Sequence, residues 1–270
     1  MLSETNDPQQ INWSTDTIES LANTWRRTNQ SYVIATVIDN GGSTPRLAGT
    51  RLITDGRIFG GTVGGGAVEQ LVLSRCASLL ASKDRSDIVS VHLVRDLAMC
   101  CGGKMSIFLN KVEANPNLVI FGGGHIGRSL ASLCKESEFA VTVVDERPEW
   151  IDAERFGQHI TRIHEDPVWY AKKTEFAENT AYLIVTHAHE LDQELIEVLL
   201  KKDRMPGFVG LIGSRGKWAR FRDRLLAKGF SKERLDSVRC PCGVDIGSET
   251  PGEIAVSVLA QLIQQHRQPR

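Results

Sequence analysis

Two glycine runs, a pair of adjacent cysteines and a His-x-His segment are the parts of this chain suited to chemistry. The first run, Gly61-Thr-Val-Gly-Gly-Gly-Ala-Val-Glu69, puts Gly64, Gly65 and Gly66 at what reads as a helix start. Consecutive glycines cost chain entropy, so they fit a backbone that must turn tightly or cradle an anion on helix N–H groups. Both readings stand on these residues alone. Glu69, in the first helical turn, is favourable beside the helix dipole in either case. The second run places Gly122, Gly124 and Gly127 in a G-x-G-x-x-G pattern that includes His125. Asp145 follows about 20 residues later at the end of an apolar run. Strand, glycine turn, helix, strand and acid therefore stand in the order of a dinucleotide site. Cys100-Cys101-Gly102-Gly103 reads as a loop that presents thiols where a ligand can reach them. Adjacent cysteines do not easily close one tetrahedral zinc, and no His/Cys partner has finger spacing, so structural zinc is not expected. His187, His189 and Asp192 suit a metal, or a polar rim that caps the next helix. Ser214 and Arg215 at a helix start suit a phosphate; the plainer alternative is a cap and a solvated arginine. Arg46 lies in the turn-rich stretch Asn40 to Gly49, where a fixed cation on close-approaching backbone suits an anion. These residues by themselves favour a solvated hairpin loop.

The elements that must hold these residues follow from periodicity. Ile18, Leu21 and Trp25 mark an opening helix that runs to about Arg27, and Tyr32 to Ile38 reads as a strand. Thr50–Thr54 and Arg57–Gly60 form a hairpin about Asp55-Gly56. Val68, Leu71, Val72, Leu79 and Leu80 give the next helix, and Ile88–Val94 and Lys104–Leu109 two further strands. Glu113 to Asn117 is a linker of turn formers. Beyond it, Leu118–Phe121, Ala140–Val144, Ala181–Val185 and Phe208–Ile212 are short apolar runs of the kind found in buried parallel strands. Helices alternate with them, a short one is expected over Asp152–Phe156, and the stretch to Phe176 is mixed. A capping box of Thr250, Pro251 and Glu253 starts the last helix. The fold class is thus α/β: an α+β domain over 1–112, then a Rossmann-like, doubly wound parallel-sheet domain over 117–270. In the second domain the loops at 122–127, 187–192 and 213–215 should converge at the carboxyl ends of the strands.

Hydrophobic content of 41%, charged content of 24% and a net charge of −1 describe an ordinary globular chain without the basic excess of a nucleic-acid or membrane binder. No apolar run approaches the ~20 residues of a membrane span. The polar stretch Met1–Gln10 lacks a signal-peptide core, so a cytoplasmic setting is expected, with the six cysteines as thiols. Cys76 and Cys134 sit singly on helices, whereas Cys240 and Cys242 lie on a Gly/Pro-punctuated loop.

Taken together, these segments resemble the XdhC/CoxI family of accessory proteins. Gly42-Ser-Thr-Pro-Arg-Leu-Ala-Gly49, Gly61 to Glu69 and Cys100-Cys-Gly-Gly103 are similar to its N-terminal motifs. Phe121 to Gly127, Thr186-His-Ala-His-Glu-Leu-Asp192, Gly210 to Arg215 and Asp245 to Ser257 are similar to those of its Rossmann half. The resemblance implies an XdhC-type domain before a Rossmann domain. It implies a chaperone that binds molybdenum cofactor (molybdopterin), supports its sulfuration and inserts it into an apo molybdenum hydroxylase of the xanthine dehydrogenase type. A cysteine desulfurase is the second implied partner, and a homodimer is expected. Relatives of the CoxI type carry Gly-Gly-Cys in the glycine segment; here Ala67 takes that position, so no thiol role transfers to it. The paired cysteines fit the XdhC branch. Thiolates favour soft metals, so Cys100 or Cys101 is expected against molybdenum, with Arg46, Gly64, Gly65, Gly66 and Glu69 lining the pocket. Gly122, Gly124, His125, Gly127, Asp145, His187, Ser214 and Arg215 complete the expected cofactor-binding set on the Rossmann side. NAD(P) is the dinucleotide that this pattern suits.

The competing reading is an NAD-dependent oxidoreductase. Asp145 favours an unphosphorylated ribose, Arg147 weakens that preference, and His187, His189 and Asp192 supply acid–base candidates. Against it, no separate catalytic domain with an acid–base set is recognisable. A nucleotidyltransferase acting on molybdenum cofactor is a third class, but its glycine-rich start is absent near residue 1.

Overall fold

Side chains from Tyr32 to Val37 alternate between two covered faces, and that alternation organises the sheet of the first unit. The structure, a computed structural model, describes residues 8–10, 15–97, 102–158, 160–175, 180–203 and 206–267. The chain divides into two units, Met1–Ala114 and Asn115–Arg270.

The first unit runs β1 (Gln9–Gln10), α1 (Thr15–Arg27), β2 (Tyr32–Gly41), β3 (Arg51–Thr54), β4 (Ile58–Gly61), α2 (Gly66–Ala81), β5 (Ser86–His92), α3 (Leu93–Leu97) and β6 (Lys104–Val112). Its sheet has the order β1-β4-β3-β2-β6-β5 and is antiparallel apart from the β1–β4 pair. On one face α2 lays Val68, Val72, Cys76 and Leu79 over Val33, Ala35, Val37 and Ile107. On the other, α1 packs Ile18, Ala22 and Trp25 on Tyr32 and Ile53. The strand expected to reach Val94 stops at His92. There the Asp96 carboxylate accepts the His92 N–H at 2.8 Å and opens a short helix instead.

The register places five strand ends together. Gly41 at the end of β2 pairs with Lys104 at the start of β6, and Thr36 with Arg51 at the start of β3. Leu52 pairs with Gly61 at the end of β4, and His92 at the end of β5 with Lys104. The loops that follow β2 and β4 and the chain on both sides of residues 98–101 therefore emerge at the same end of the sheet.

The second unit runs β7 (Asn117–Phe121), α4 (His125–Leu133), β8 (Ala140–Asp145), β9 (Thr161–His164), α5 (Pro167–Lys173), β10 (Ala181–Ile184), α6 (His189–Lys201), β11 (Phe208–Leu211), α7 (Arg215–Ala227), α8 (Lys232–Asp236), β12 (Val238–Arg239) and α9 (Pro251–Arg267). All pairs are parallel, in the order β12-β11-β10-β7-β8-β9. This is the doubly wound Rossmann order, with the switch point between β7 and β10. α4 and α9 cover one face through Leu130, Ala131, Val258 and Leu262. α5, α6, α7 and α8 cover the other through Val168, Leu195, Phe221 and Leu235. The stretch that reads as mixed contains β9 and α5. The edge strand β9 carries no fully buried side chain, so it leaves no apolar run to find. The helix does leave a signal: Asp166 accepts the Trp169 N–H at 2.7 Å and Pro167 occupies the first turn. The capping box of α9 forms as spelled, with Glu253 Oε2 accepting the Thr250 N–H at 2.9 Å and the Glu253 N–H reaching Thr250 Oγ1 at 3.3 Å. Among the described residues no helix is long and apolar enough to cross a membrane.

Candidate functional site

In the first unit the glycine run is a built loop. Gly64, Gly65 and Gly66 take φ of 145°, 73° and 53°, a region that side chains strain to enter. Gly65 is the N-cap of α2, and no side chain caps the first turn. A methyl group on Gly65 or Gly66 would meet nothing within 4 Å, so this side of the helix start is open. Beneath it lies Glu69, 7% exposed. Its Oε1 accepts the Gly65 N–H at 3.0 Å and the Thr62 hydroxyl, while Thr62 Oγ1 accepts the Gly64 N–H at 3.2 Å. Glu69, expected to line a pocket, instead holds the loop from below with its carboxylate turned inward. Thr62, which lies within the glycine-run motif but is not among the residues its pattern singles out, is the link between them.

The loop from Gly42 to Gly49 is tied to Asn40, whose amide donates to Thr44 Oγ1 at 3.2 Å and whose carbonyl oxygen accepts the Ala48 N–H at 2.9 Å. Pro45 packs so closely on Gly64 that an added Cβ would lie 2.8 Å from the proline ring. Arg46 is the next residue, exposed, and its guanidinium has no acidic partner among the described residues. Gly103 is wedged under the same loop, its position for a Cβ lying 2.5 Å from Ser43 O and 2.6 Å from Thr44 Cγ2. Three loops thus meet above the α2 N-terminus. Cys100 and Cys101 lie outside the described residues. Gly102 and Gly103, which follow them, are anchored in this cluster, and the Gly103 carbonyl accepts the Leu93 N–H at 3.0 Å.

The Rossmann unit arranges its glycine turn differently. Gly127 packs so tightly under Gly122 that a Cβ there would strike the Gly122 carbonyl, and one on Gly123 would strike the Trp150 carbonyl. Asp145, 2% exposed, accepts four hydrogen bonds. They come from the Gly123 N–H at 2.7 Å and from the Arg147 N–H, Nε and Nη2 at 3.0, 2.9 and 2.8 Å. Burial pushes the Asp145 carboxyl up; the Arg147 side chain, then the backbone N–H donors, more than offset this and leave it below the usual carboxylate range. With every lone pair engaged, this carboxylate has no capacity left for a ribose hydroxyl. The ribose contact expected of Asp145 therefore does not fit this arrangement. Arg147 and Arg155 both lie over the Trp150 ring, with Cζ 5.2 and 4.5 Å from its centre, and His125 meets that ring edge-on at 5.2 Å. His125 also lines a cavity of about 740 Å³ between the starts of α4 and α9, with Arg128, Ser129, Pro251 and Glu253.

The other two loops do reach the carboxyl ends of the strands, but their side chains are occupied. Asp192 is buried and accepts Lys217 Nζ at 2.5 Å, Thr186 Oγ1 at 2.6 Å and the Thr186 N–H at 3.2 Å. His189 stands 3.9 Å from Asp192, whereas His187 faces Glu146 at 3.8 Å, so the two imidazoles diverge. Among the described residues no three His, Cys, Asp or Glu side chains are grouped as a metal site. Ser214 Oγ caps α7 by accepting the Lys217 N–H at 3.1 Å, and Arg215 is exposed. The part played by Lys217 has no signature in the sequence, since a lysine in a basic helix gives no sign of burial.

The remaining described thiols are buried or half-buried. Burial pushes Cys76 up to about 12 and Cys134 to about 11. Cys242, on the Gly/Pro-punctuated loop, is buried with its pKa raised to about 12 by burial and donates to Gln261 Oε1 at 3.4 Å. Half-buried Cys240 is raised to about 11, again by burial, and donates to the Gly213 carbonyl at 3.6 Å.

Comparison with known proteins gives consistent matches. Residues 118–262 match the model of the XdhC Rossmann domain, and residues 25–92 that of the XdhC and CoxI family. YqeB of Escherichia coli (strain K12) is 33% identical over 243 residues, 87% of this chain and 44% of that protein. A Bacillus subtilis (strain 168) protein, named as a probable subunit of xanthine dehydrogenase, is 31% identical over 159 residues, 59% of this chain and 46% of that protein. The chain thus spans less than half the length of these curated relatives. A crystal structure from Bacillus halodurans, described as a xanthine dehydrogenase, aligns with 93% of this chain and 96% of its own at a TM-score of 0.53 and 20% identity, which shows a shared fold.

Proposed function

This chain belongs to the XdhC and CoxI family, and on that premise we propose that it is an accessory protein for a xanthine dehydrogenase-type molybdenum hydroxylase. Its cargo is molybdenum cofactor, held by the first unit, supported during sulfuration by a cysteine desulfurase and passed to the apo-enzyme. A homodimer is part of the same reading. The observation that carries it is the meeting of three loops above the open N-terminus of α2, with Pro45 on Gly64 and Gly103 beneath Ser43 and Thr44. A cargo with an anionic phosphate, a flat pterin and a soft metal needs three kinds of donor. Helix N–H groups and Arg46 suit the phosphate. Bare backbone at Gly64–Gly66 permits close approach of a flat ring. Thiolates at Cys100 or Cys101 suit molybdenum. On the Rossmann side Gly122, Gly123 and Gly127 serve as packing glycines, Asp145 braces the Gly123 N–H, and Gly124 at the start of α4 is left clear; uptake of NAD(P) at that turn would require Asp145 to exchange Arg147 for a ribose.

The test is to purify the chain from cells that make molybdenum cofactor and quantify molybdenum and pterin per protein. Both are expected near one equivalent. Arg46→Ala and the Cys100→Ala/Cys101→Ala double variant should each lower retention by roughly tenfold, the size of one lost charge-assisted contact. Undiminished cofactor affinity in the double variant would remove the thiols from the site. Copurification of NAD without pterin or molybdenum would instead favour the dinucleotide-dependent oxidoreductase.

A further inference from the structure

We propose that the groove along the outer flank of α4 is a binding site for a phosphorylated small molecule. This inference is independent of the cargo reading above. Its origin is topological. The crossover from β8 to β9 holds only two single-turn 3₁₀ segments, Pro148–Trp150 and Ala153–Arg155, where a doubly wound sheet normally carries a full helix. The flank of α4 that such a helix would cover is left open. It forms one wall of a cavity of about 490 Å³, a size suited to a small ligand.

The lining is one-sided in charge. Arg128, Ser132 and Lys135 stand at i, i+4 and i+7 along α4 and its continuation, and so share one stripe. Arg155 faces them, above Phe156 and Ile160, which are nearly buried and supply an apolar floor. No carboxylate lines the cavity, and none of the three cations has an acidic partner among the described residues. Unpaired cations converging on a near-neutral chain are not the by-product of a generally basic surface. Arg155 is the most telling of them. Its Nε is buried without a hydrogen-bond partner, while its Cζ lies over the Trp150 ring, 4.5 Å from the centre. A buried donor without an acceptor is costly, and a planar guanidinium held in one orientation is matched to phosphate oxygens. With two further cations and a hydroxyl in reach, the fitting ligand carries at least two negative charges: a phosphate ester or a pyrophosphate. The groove runs from Arg128 toward the end of α4, away from the crevice at the carboxyl ends of the strands.

The experiment is isothermal titration of the full chain with inorganic phosphate, inorganic pyrophosphate and ADP in separate arms. Saturable one-to-one binding is expected for pyrophosphate or ADP. It should weaken at least tenfold in Arg128→Ala/Lys135→Ala, whose side chains are exposed, and in Arg155→Gln. Tighter binding of ADP identifies an organic phosphate ester as the occupant; equal or tighter binding of pyrophosphate identifies the inorganic ion. Absence of saturable heat with all three probes at millimolar concentration overturns the proposal. So does unchanged affinity in the Arg128→Ala/Lys135→Ala variant with unaltered thermal unfolding, since the ligand would then lie elsewhere.

Discussion

The chain contains two glycine turns at helix starts, each braced by a buried carboxylate, and the two are finished in opposite ways. In the Gly64–Gly66 turn the brace comes from inside the helix. Glu69 takes the Gly65 N–H from below, and the outer side of Gly65 and Gly66 is left clear. In the Gly122–Gly127 turn the brace comes from the neighbouring strand. Asp145 takes the Gly123 N–H, Arg147 saturates Asp145, and the Trp150 carbonyl closes over Gly123. A glycine pattern marks where backbone must come close to something. In the Rossmann turn Gly122, Gly123 and Gly127 all come close to the protein itself and Gly124 is clear; in the other turn Gly65 and Gly66 are both left clear.

The contrast can be broken most forcefully at Gly127. Gly127→Ala drives a Cβ into the Gly122 carbonyl, and a rigid backbone contact of this kind should cost more than about 3 kcal/mol in urea unfolding. Asp145→Asn should follow at about 3 kcal/mol, because it leaves the Arg147 guanidinium without its charge partner. The same pair sets an acid limb. The folded pKa of Asp145 is depressed, so its contribution is present above the unfolded value of about 3.9 and is lost as pH falls through the folded value. Unfolding midpoints measured from pH 6 down to pH 2 should drop more steeply for the parent chain than for Asp145→Asn; parallel curves would refute the assignment. Glu69→Ala, which strands the Gly65 N–H and the Thr62 hydroxyl, should cost about 2 kcal/mol. Gly65→Ala meets no neighbour and only strains a positive φ, so about 1 kcal/mol is expected by the same measurement. A Gly65→Ala loss as large as that of Gly127→Ala would erase the distinction between an open and a closed turn. On cargo the order should reverse, with Gly65→Ala reducing molybdenum and pterin retention and Asp145→Asn leaving it unchanged.

Local pattern made most of the elements legible. Apolar runs at Leu118–Phe121 and Ala181–Ile184 are buried strands, and the Thr250–Glu253 box begins α9 as written. The alternation of these runs with helices was enough to expect a doubly wound sheet, since periods of 2 and 3.6 are properties of neighbouring residues. Elements with little burial to record, such as β9 and β12, left no such trace. The family motifs were legible for the same reason, being contiguous in the chain.

Which contacts each motif residue makes was decided in three dimensions. Asp145 reads as a ribose ligand by spacing and is a saturated brace because Arg147 and Gly123 reach it first. Asp192 reads as a metal ligand or acid and is a buried partner of Lys217, a residue of another helix. Glu69 reads as a pocket wall and faces inward. Ser214, Arg215 and His187 lie near the strand ends as expected, but spread over a cap, an exposed cation and a contact to Glu146. The sequence by itself determined which backbone would be bare and which side chains polar, because those are properties of single positions. Only the tertiary structure decided which of them remain available, because a hydrogen-bonding group serves a ligand only when no distant part of the chain has already satisfied it.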